Sequence, residues 1–286
     1  MDPTVRATVR QHWLPKAGNA PEEYEDAFAH SLGRWRFAMA DGATESSFAA
    51  DWARALVEAF VADPPFRAVR ETARREDWLA PLQRAWREAI DWERLPWFAL
   101  AKAESGAFST VLGVEFMPEC EPQRPARKGG STCTDSLCWR ALAVGDTCLY
   151  QLRGDDIIAS FPLDQPDQFG SCPVLLSSTP ASNEGVWDQV RITEGNCRGE
   201  DVFVLATDAL AQWFLAEHLA GGQPGRSLLA LGGEEEFAAL IGSLRQRKLM
   251  RNDDVTLLTV RLDRPDVSQP PGLPRRRRPG WPWGWR

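Results

Sequence analysis

Apolar residues along this chain follow two rhythms. From Ser46 or Ser47 to Ala62, the residues Phe48, Trp52, Ala55, Leu56, Ala59 and Phe60 recur at three- and four-residue spacing. That spacing puts them on one face of a helix. Ser46 or Ser47 is the expected cap, and Pro64-Pro65 the stop. Arg70 to Ala103 is a longer helical region, with Trp78, Leu82, Ala85, Trp86, Ala89 and Ile90 on one face and a break at Pro96. Ala209–Leu219, closed by Gly221-Gly222, and Glu234–Leu249 are two further helices.

The second rhythm is that of short runs rich in β-branched and aromatic residues. It predicts strands over Glu25–His30, Trp35–Ala40, Phe108–Phe116, Leu137–Val144, Cys148–Leu152, Ile157–Phe161, Gln189–Thr193, Val202–Ala206 and Asp254–Leu262. Residues 1–24 read as a strand or loop entry, and 117–131, rich in Pro and Gly, as a loop. Gly145-Asp146-Thr147 reads as a hairpin turn. Most consecutive strands have no helix between them. The expected class is therefore α+β, with antiparallel sheets flanked by helices, not a doubly wound parallel sheet.

Composition narrows this further. An apolar fraction of 43% in 286 residues supports a sizeable core. No apolar run reaches the roughly 20 residues needed to cross a bilayer. The polar start, Met1 to Gln11, does not read as a signal peptide, so the expectation is cytoplasmic. The six cysteines form no C-x-x-C pair and have no nearby histidine, which argues for free thiols and against a zinc site.

Charge divides the chain. Arg264 to Arg286 holds six arginines and one aspartate, a net +5, while the other residues carry a net −12. Residues 1–263 are expected to form one domain. The Pro/Arg/Trp-rich tail 264–286 is expected to be disordered. Trp281, Trp283 and Trp285 beside Arg275–Arg278 suit docking to an acidic partner or a membrane surface. An acidic body disfavours nucleic acid.

Four acidic motifs lie at the edges of apolar runs: Glu25-Asp26, Asp41-Gly42, Asp208-Ala209 and Asp253-Asp254. Carboxylates drawn from distant strand ends can converge on hard divalent cations, which prefer oxygen ligands. Each motif alone has an ordinary reading: a solvated turn, an Asp-Gly turn, a helix cap at Asp208, a loop before a strand. Ser109-Thr110 lacks a histidine pattern that would make it a nucleophile and reads as buried strand.

In order, Glu25-Asp26, Asp41-Gly42, Gly106-x-x-Ser109-Thr110, Gly145-Asp146-Thr147, Thr207-Asp208-Ala209 and Asp253-Asp254-Val255-Thr256 resemble the PP2C (PPM) family of metal-dependent protein serine/threonine phosphatases. Ala40 to Ser46 is most similar to a bacterial branch. The resemblance runs from about residue 5 to residue 262. It implies an αββα sandwich with Mn²⁺ or Mg²⁺, two ions and a third weaker one, at one end of the sheets.

Carried over by position, Asp41 would bridge two ions. Asp208 and Asp253 would complete the first ion, Glu25 and the Gly42 carbonyl the second. Asp146 would help Asp208 hold the third. Asp26 would hydrogen-bond the metal-activated water that attacks phosphorus, so Asp26 and Asp41 are the candidate catalytic residues. The implied partners are a phosphoserine or phosphothreonine protein substrate and an opposing kinase. Two positions depart from the family pattern. Many members carry a phosphate-binding arginine four residues before the Glu-Asp pair, where this chain has Pro21, and Ala43 replaces the histidine of the eukaryotic form. An alternative is thus a PP2C-like regulatory or binding module with little phosphatase activity.

Overall fold

The computed structural model describes residues 6–117, 137–170 and 172–263. Among the described residues twelve strands follow one another: β1 (Arg6–Leu14), β2 (Ala27–Ser31), β3 (Arg36–Ala40), β4 (Phe108–Ser109), β5 (Val111–Met117), β6 (Leu137–Val144), β7 (Cys148–Arg153), β8 (Asp156–Phe161), β9 (Leu176–Ser177), β10 (Arg191–Cys197), β11 (Val202–Ala206) and β12 (Val255–Asp263). Four helices lie between β3 and β4: α1 (Ala49–Ala62), α2 (Phe66–Arg70), α3 (Thr72–Ala89) and α4 (Trp97–Glu104). Three more lie between β11 and β12: α5 (Asp208–Leu219), α6 (Pro224–Leu229) and α7 (Glu234–Gln246).

Ten of these strands form two five-stranded sheets, ordered β1-β12-β11-β7-β8 and β10-β6-β5-β3-β2, and β4 and β9 pair with each other, with all pairings antiparallel. Their inner faces meet in a core of Phe37, Met39, Phe116, Trp139, Phe203 and Leu258, among others. Phe203 packs edge-on against Phe116 at 4.7 Å and Trp139 at 5.7 Å. Such aromatic pairs add about 0.5–1.5 kcal/mol each beyond the area they bury. On the outer face of the first sheet, Leu210, Phe214, Phe237 and Ile241 of α5 and α7 cover Tyr150, Val204 and Leu257. On the outer face of the second, Val57 and Phe60 of α1 cover Ala38, Ala40 and Leu142. The layers are helix, sheet, sheet, helix, as the resemblance implies.

Local expectations were corrected in four places. Gly145-Asp146-Thr147 is not a hairpin turn: β6 pairs with β5 and β10, β7 with β11 and β8, so the segment carries the chain from one sheet to the other. The stretch 70–103 is not one interrupted helix. It breaks at Ile90 as well as at Pro96, whose missing N–H suits the start of α4. The first helix begins at Ala49 with Phe48 in the left-handed region (φ 59°), and neither serine caps it. Ser46 instead donates its hydroxyl to the Ala43 carbonyl and receives the Phe108 N–H. Glu25-Asp26 precedes β2 and does not lie within it.

Cys148 and Cys197 are free, as expected, whereas Cys138 is disulfide-bonded, against the expectation. No described helix is long and apolar enough to cross a membrane. The loop expected over 117–131, apart from Met117, which ends β5, and the tail 264–286 lie outside the described residues.

Candidate metal centre

The acidic motifs meet because the ladders end together. Ala27 faces Ala40, Val111 faces Val144, Ala206 faces both Cys148 and Leu257, and Leu14 faces Val255. Each pair is the last rung at the same end of the sandwich. The segments just beyond these rungs carry Lys16, Glu25-Asp26, Asp41-Gly42, Asp146, Asp208 and Asp253-Asp254.

Hydrogen bonds tie these segments into one rim. Thr110 Oγ1 accepts the Asp41 N–H at 2.9 Å and lies 2.7 Å from Thr147 Oγ1, so the Asp41 turn is fixed to the Asp146 connection. The Thr110 N–H returns to the Asp41 carbonyl at 2.9 Å, and Ser109 Oγ donates to the same oxygen at 2.8 Å. Gly42 abuts Glu25: a Cβ at position 42 would stand 2.6 Å from the Glu25 carbonyl oxygen, so only glycine permits that approach. Gly145, at φ 95°, makes the turn that leads into Asp146.

From the other sheet, Asp254 accepts the Lys16 N–H and the Glu25 N–H, each at 2.8 Å. Thr256 Oγ1 donates to Asp26 Oδ2 at 2.6 Å and in turn meets the Tyr24 hydroxyl. The α5 helix opens at Asp208. Its cap position is Thr207, not Asp208, and the Thr207 hydroxyl receives the Thr256 N–H.

Two side-chain cations pair with the rim carboxylates, and Arg245 donates to the Asp253 carbonyl beside them. Arg251 pairs with Asp208 Oδ2 and lies 3.9 Å from Asp253 Oδ2. Lys16 Nζ lies 3.1 Å from Asp253 Oδ1 and donates to Thr44 Oγ1 at 2.5 Å. Among the described residues no three acidic, histidine or cysteine side chains already stand in position to hold an ion. The donor set nevertheless fits hard cations. Buried oxygens of Asp26 (Oδ1), Asp146 (both) and Asp208 (Oδ1) have no hydrogen-bond partner, a costly state for a carboxylate without a cation.

The proton affinities record the same crowding. Burial pushes Asp26 up to about 7, with Asp254 and Asp253 adding to the rise and hydrogen bonds from Thr256 and Thr207 opposing it. Asp41 is raised well above its ordinary value by burial and then by Asp26, Asp146 and Asp253, against the pull of Arg251. Asp146 and Glu25 are raised chiefly by burial. Arg251 opposes the first, and Thr44 and Lys16 the second. Like charges gathered out of water favour the protonated form until a cation arrives.

All six residues proposed from the sequence as ligands thus lie on one rim, with Asp26 beside them. Sequence reasoning missed the cations. Thr110, Thr147, Thr207 and Thr256 stood inside the quoted motifs, but without a role in holding the rim. Arg251 carried one faint signal, its place two residues before Asp253. Lys16 carried none.

No protein-family model and no curated protein matches the chain in sequence. Solved structures do. A bacterial serine phosphatase superposes with TM-score 0.53 and 13% identity, over 92% of this chain and 100% of that one. The catalytic domain of the serine/threonine phosphatase PstP, in complex with two manganese ions, gives 0.52 and 16% over 91% and 98%. The photosystem II phosphatase PBCP gives 0.52 and 15% over 90% and 98%. With two antiparallel sheets between helical layers, and acidic motifs gathered at one end, the chain has the fold of the PP2C-type serine/threonine phosphatases.

Proposed function

We propose that residues 1–263 form a metal-dependent phosphatase domain that hydrolyses phosphoserine or phosphothreonine of a protein substrate. The observation that carries this reading is the convergence of Glu25, Asp41, Asp146, Asp208 and Asp253 on one rim, with buried carboxylate oxygens left unpartnered. Asp41, Asp208 and Asp253 would hold one Mn²⁺ or Mg²⁺ ion, Asp41, Glu25 and the Gly42 carbonyl a second, and Asp146 with Asp208 a weaker third. Such ions would supply a water of lowered pKa and screen the phosphoryl oxygens.

The chain's own residues do the rest. Thr256 fixes Asp26 through Oδ2, which leaves Oδ1 without a partner and able to accept a hydrogen bond from a water that the ions would hold. Thr110 and Asp254 hold the Asp41 and Glu25 backbones in register, so orientation is prepaid by the fold. We infer a cytoplasmic enzyme that opposes a kinase, with the basic tail free to dock an acidic partner or membrane surface.

A second reading, a regulatory or binding module with little turnover, is favoured by Pro21 at the usual arginine position and by the cations already lodged on Asp208 and Asp253. Turnover of p-nitrophenyl phosphate or a phosphothreonine peptide separates the two. The enzyme reading expects activity with Mn²⁺ that is lost with EDTA and in Asp208→Ala. No metal-dependent turnover above that variant overturns it.

A further inference from the structure

Both oxygens of Asp253 face a side-chain cation: Lys16 stands 3.1 Å from Oδ1 and Arg251 3.9 Å from Oδ2. The same Arg251 pairs directly with Asp208 Oδ2, while Asp208 Oδ1 is buried without a partner. The charge of Arg251 also reaches Asp41 and Asp146, so one guanidinium serves four carboxylates that otherwise only repel one another. Its side chain is 34% exposed, while its Nε and Nη2 are buried.

A divalent ion on Asp208 and Asp253 would share carboxylates that this guanidinium already contacts. Arginine cannot vacate them by losing its proton, because it stays charged at any working pH. A guanidinium and a divalent ion that draw on the same two carboxylates weaken each other's hold on them.

We propose that Arg251 is a built-in competitor of the divalent ion. It holds Asp208 and Asp253 together in the ion-free protein and swings off them when the ion binds. The inference rests on the reading of Asp208 and Asp253 as ligands. It makes ion uptake an exchange of one cation for another, so affinity is set by the difference between them.

Calorimetric titration of the full chain with Mn²⁺, wild type against Arg251→Gln and Arg251→Lys, tests this without reference to turnover. Arg251→Gln is expected to bind Mn²⁺ about tenfold or more tightly, since a competing charge is gone. Arg251→Lys is expected to lie between the two. Melting temperatures read the same exchange: Arg251→Gln melts lower than wild type in EDTA and gains more from Mn²⁺. Equal or weaker Mn²⁺ binding by Arg251→Gln, with wild type binding, overturns the competitor role alone. So does an equal loss of melting temperature in EDTA and in Mn²⁺, the mark of a merely structural arginine. If wild type and Arg251→Gln both stay folded and neither binds Mn²⁺, the metal-site reading falls and takes this inference with it.

Discussion

The carboxylate of Asp254 receives the backbone N–H of Glu25 at 2.8 Å, across 229 positions of chain. Its other oxygen receives the Lys16 N–H at the same distance. Asp254 therefore joins the entry to β12 with the two segments before β2, and aims Glu25 and Lys16 at the rim. Asparagine has one acceptor oxygen in place of two and is expected to cost about 1–2 kcal/mol, while alanine, which strands both amides, costs about 2–4 kcal/mol. Urea denaturation of Asp254→Asn and Asp254→Ala measures this. Wild-type stability in the alanine variant would contradict it.

Gly42→Ala tests the close approach to Glu25. The added methyl would stand 2.6 Å from the Glu25 carbonyl oxygen and 3.1 Å from Ala49 Cβ, and backbone cannot give way as a flexible side chain can. The expected loss is about 1–3 kcal/mol. Mn²⁺ affinity should weaken with it, because the Glu25 and Gly42 segments are driven apart. Denaturation and calorimetry together check both parts.

Thr110→Val keeps shape and removes one hydroxyl. The Asp41 N–H loses its acceptor and Thr147 its partner, which should cost about 1–3 kcal/mol. Because Thr110 is the link between the Asp41 turn and the Asp146 connection, Mn²⁺ affinity is expected to fall more in this variant than in Ser31→Ala, a control on β2 away from the rim. Equal affinities would mean that the Asp41 turn is held by its other contacts.

The pH dependence follows from the raised carboxyls. Asp26 sits at about 7 in the ion-free fold and near its ordinary 3.8 when unfolded. Between those values the native state holds the extra proton, so its contribution to stability is complete below the unfolded value and is lost as pH rises toward 7. Asp41, Asp146 and Glu25 act in the same direction. In EDTA, the urea midpoint of wild type should fall more steeply from pH 5 to pH 8 than that of Asp26→Asn. Mn²⁺ affinity should rise over the same range, because the ion binds the deprotonated site. Parallel stability curves for the two proteins would contradict the raised value at Asp26.

Much of the layer plan was legible in the chain because it rests on local chemistry. Phe48 to Phe60 announces α1 by its spacing, and Val202–Ala206 and Leu137–Val144 carry their strand bounds in their own side chains. The acidic motifs were also legible, since Asp41, Asp208 and Asp253 stand immediately beyond apolar runs. What local pattern could not decide was partnership. Gly145-Asp146-Thr147 has the residues of a hairpin turn, but β6 and β7 each find other neighbours, and the choice between pairings is made by the packing of two sheets.

The candidate centre divides in the same way. The sequence by itself determined which oxygens are available, because carboxylate type and order are written in the chain. Only the tertiary structure decided what surrounds them: the methyl-free contact of Gly42 with Glu25, the two amides on Asp254, and Arg251 lodged on Asp208. Those are contacts between residues up to 238 positions apart. Their physical cause is the common end of two sheets, where every ladder stops at once and desolvates the same small group of charges.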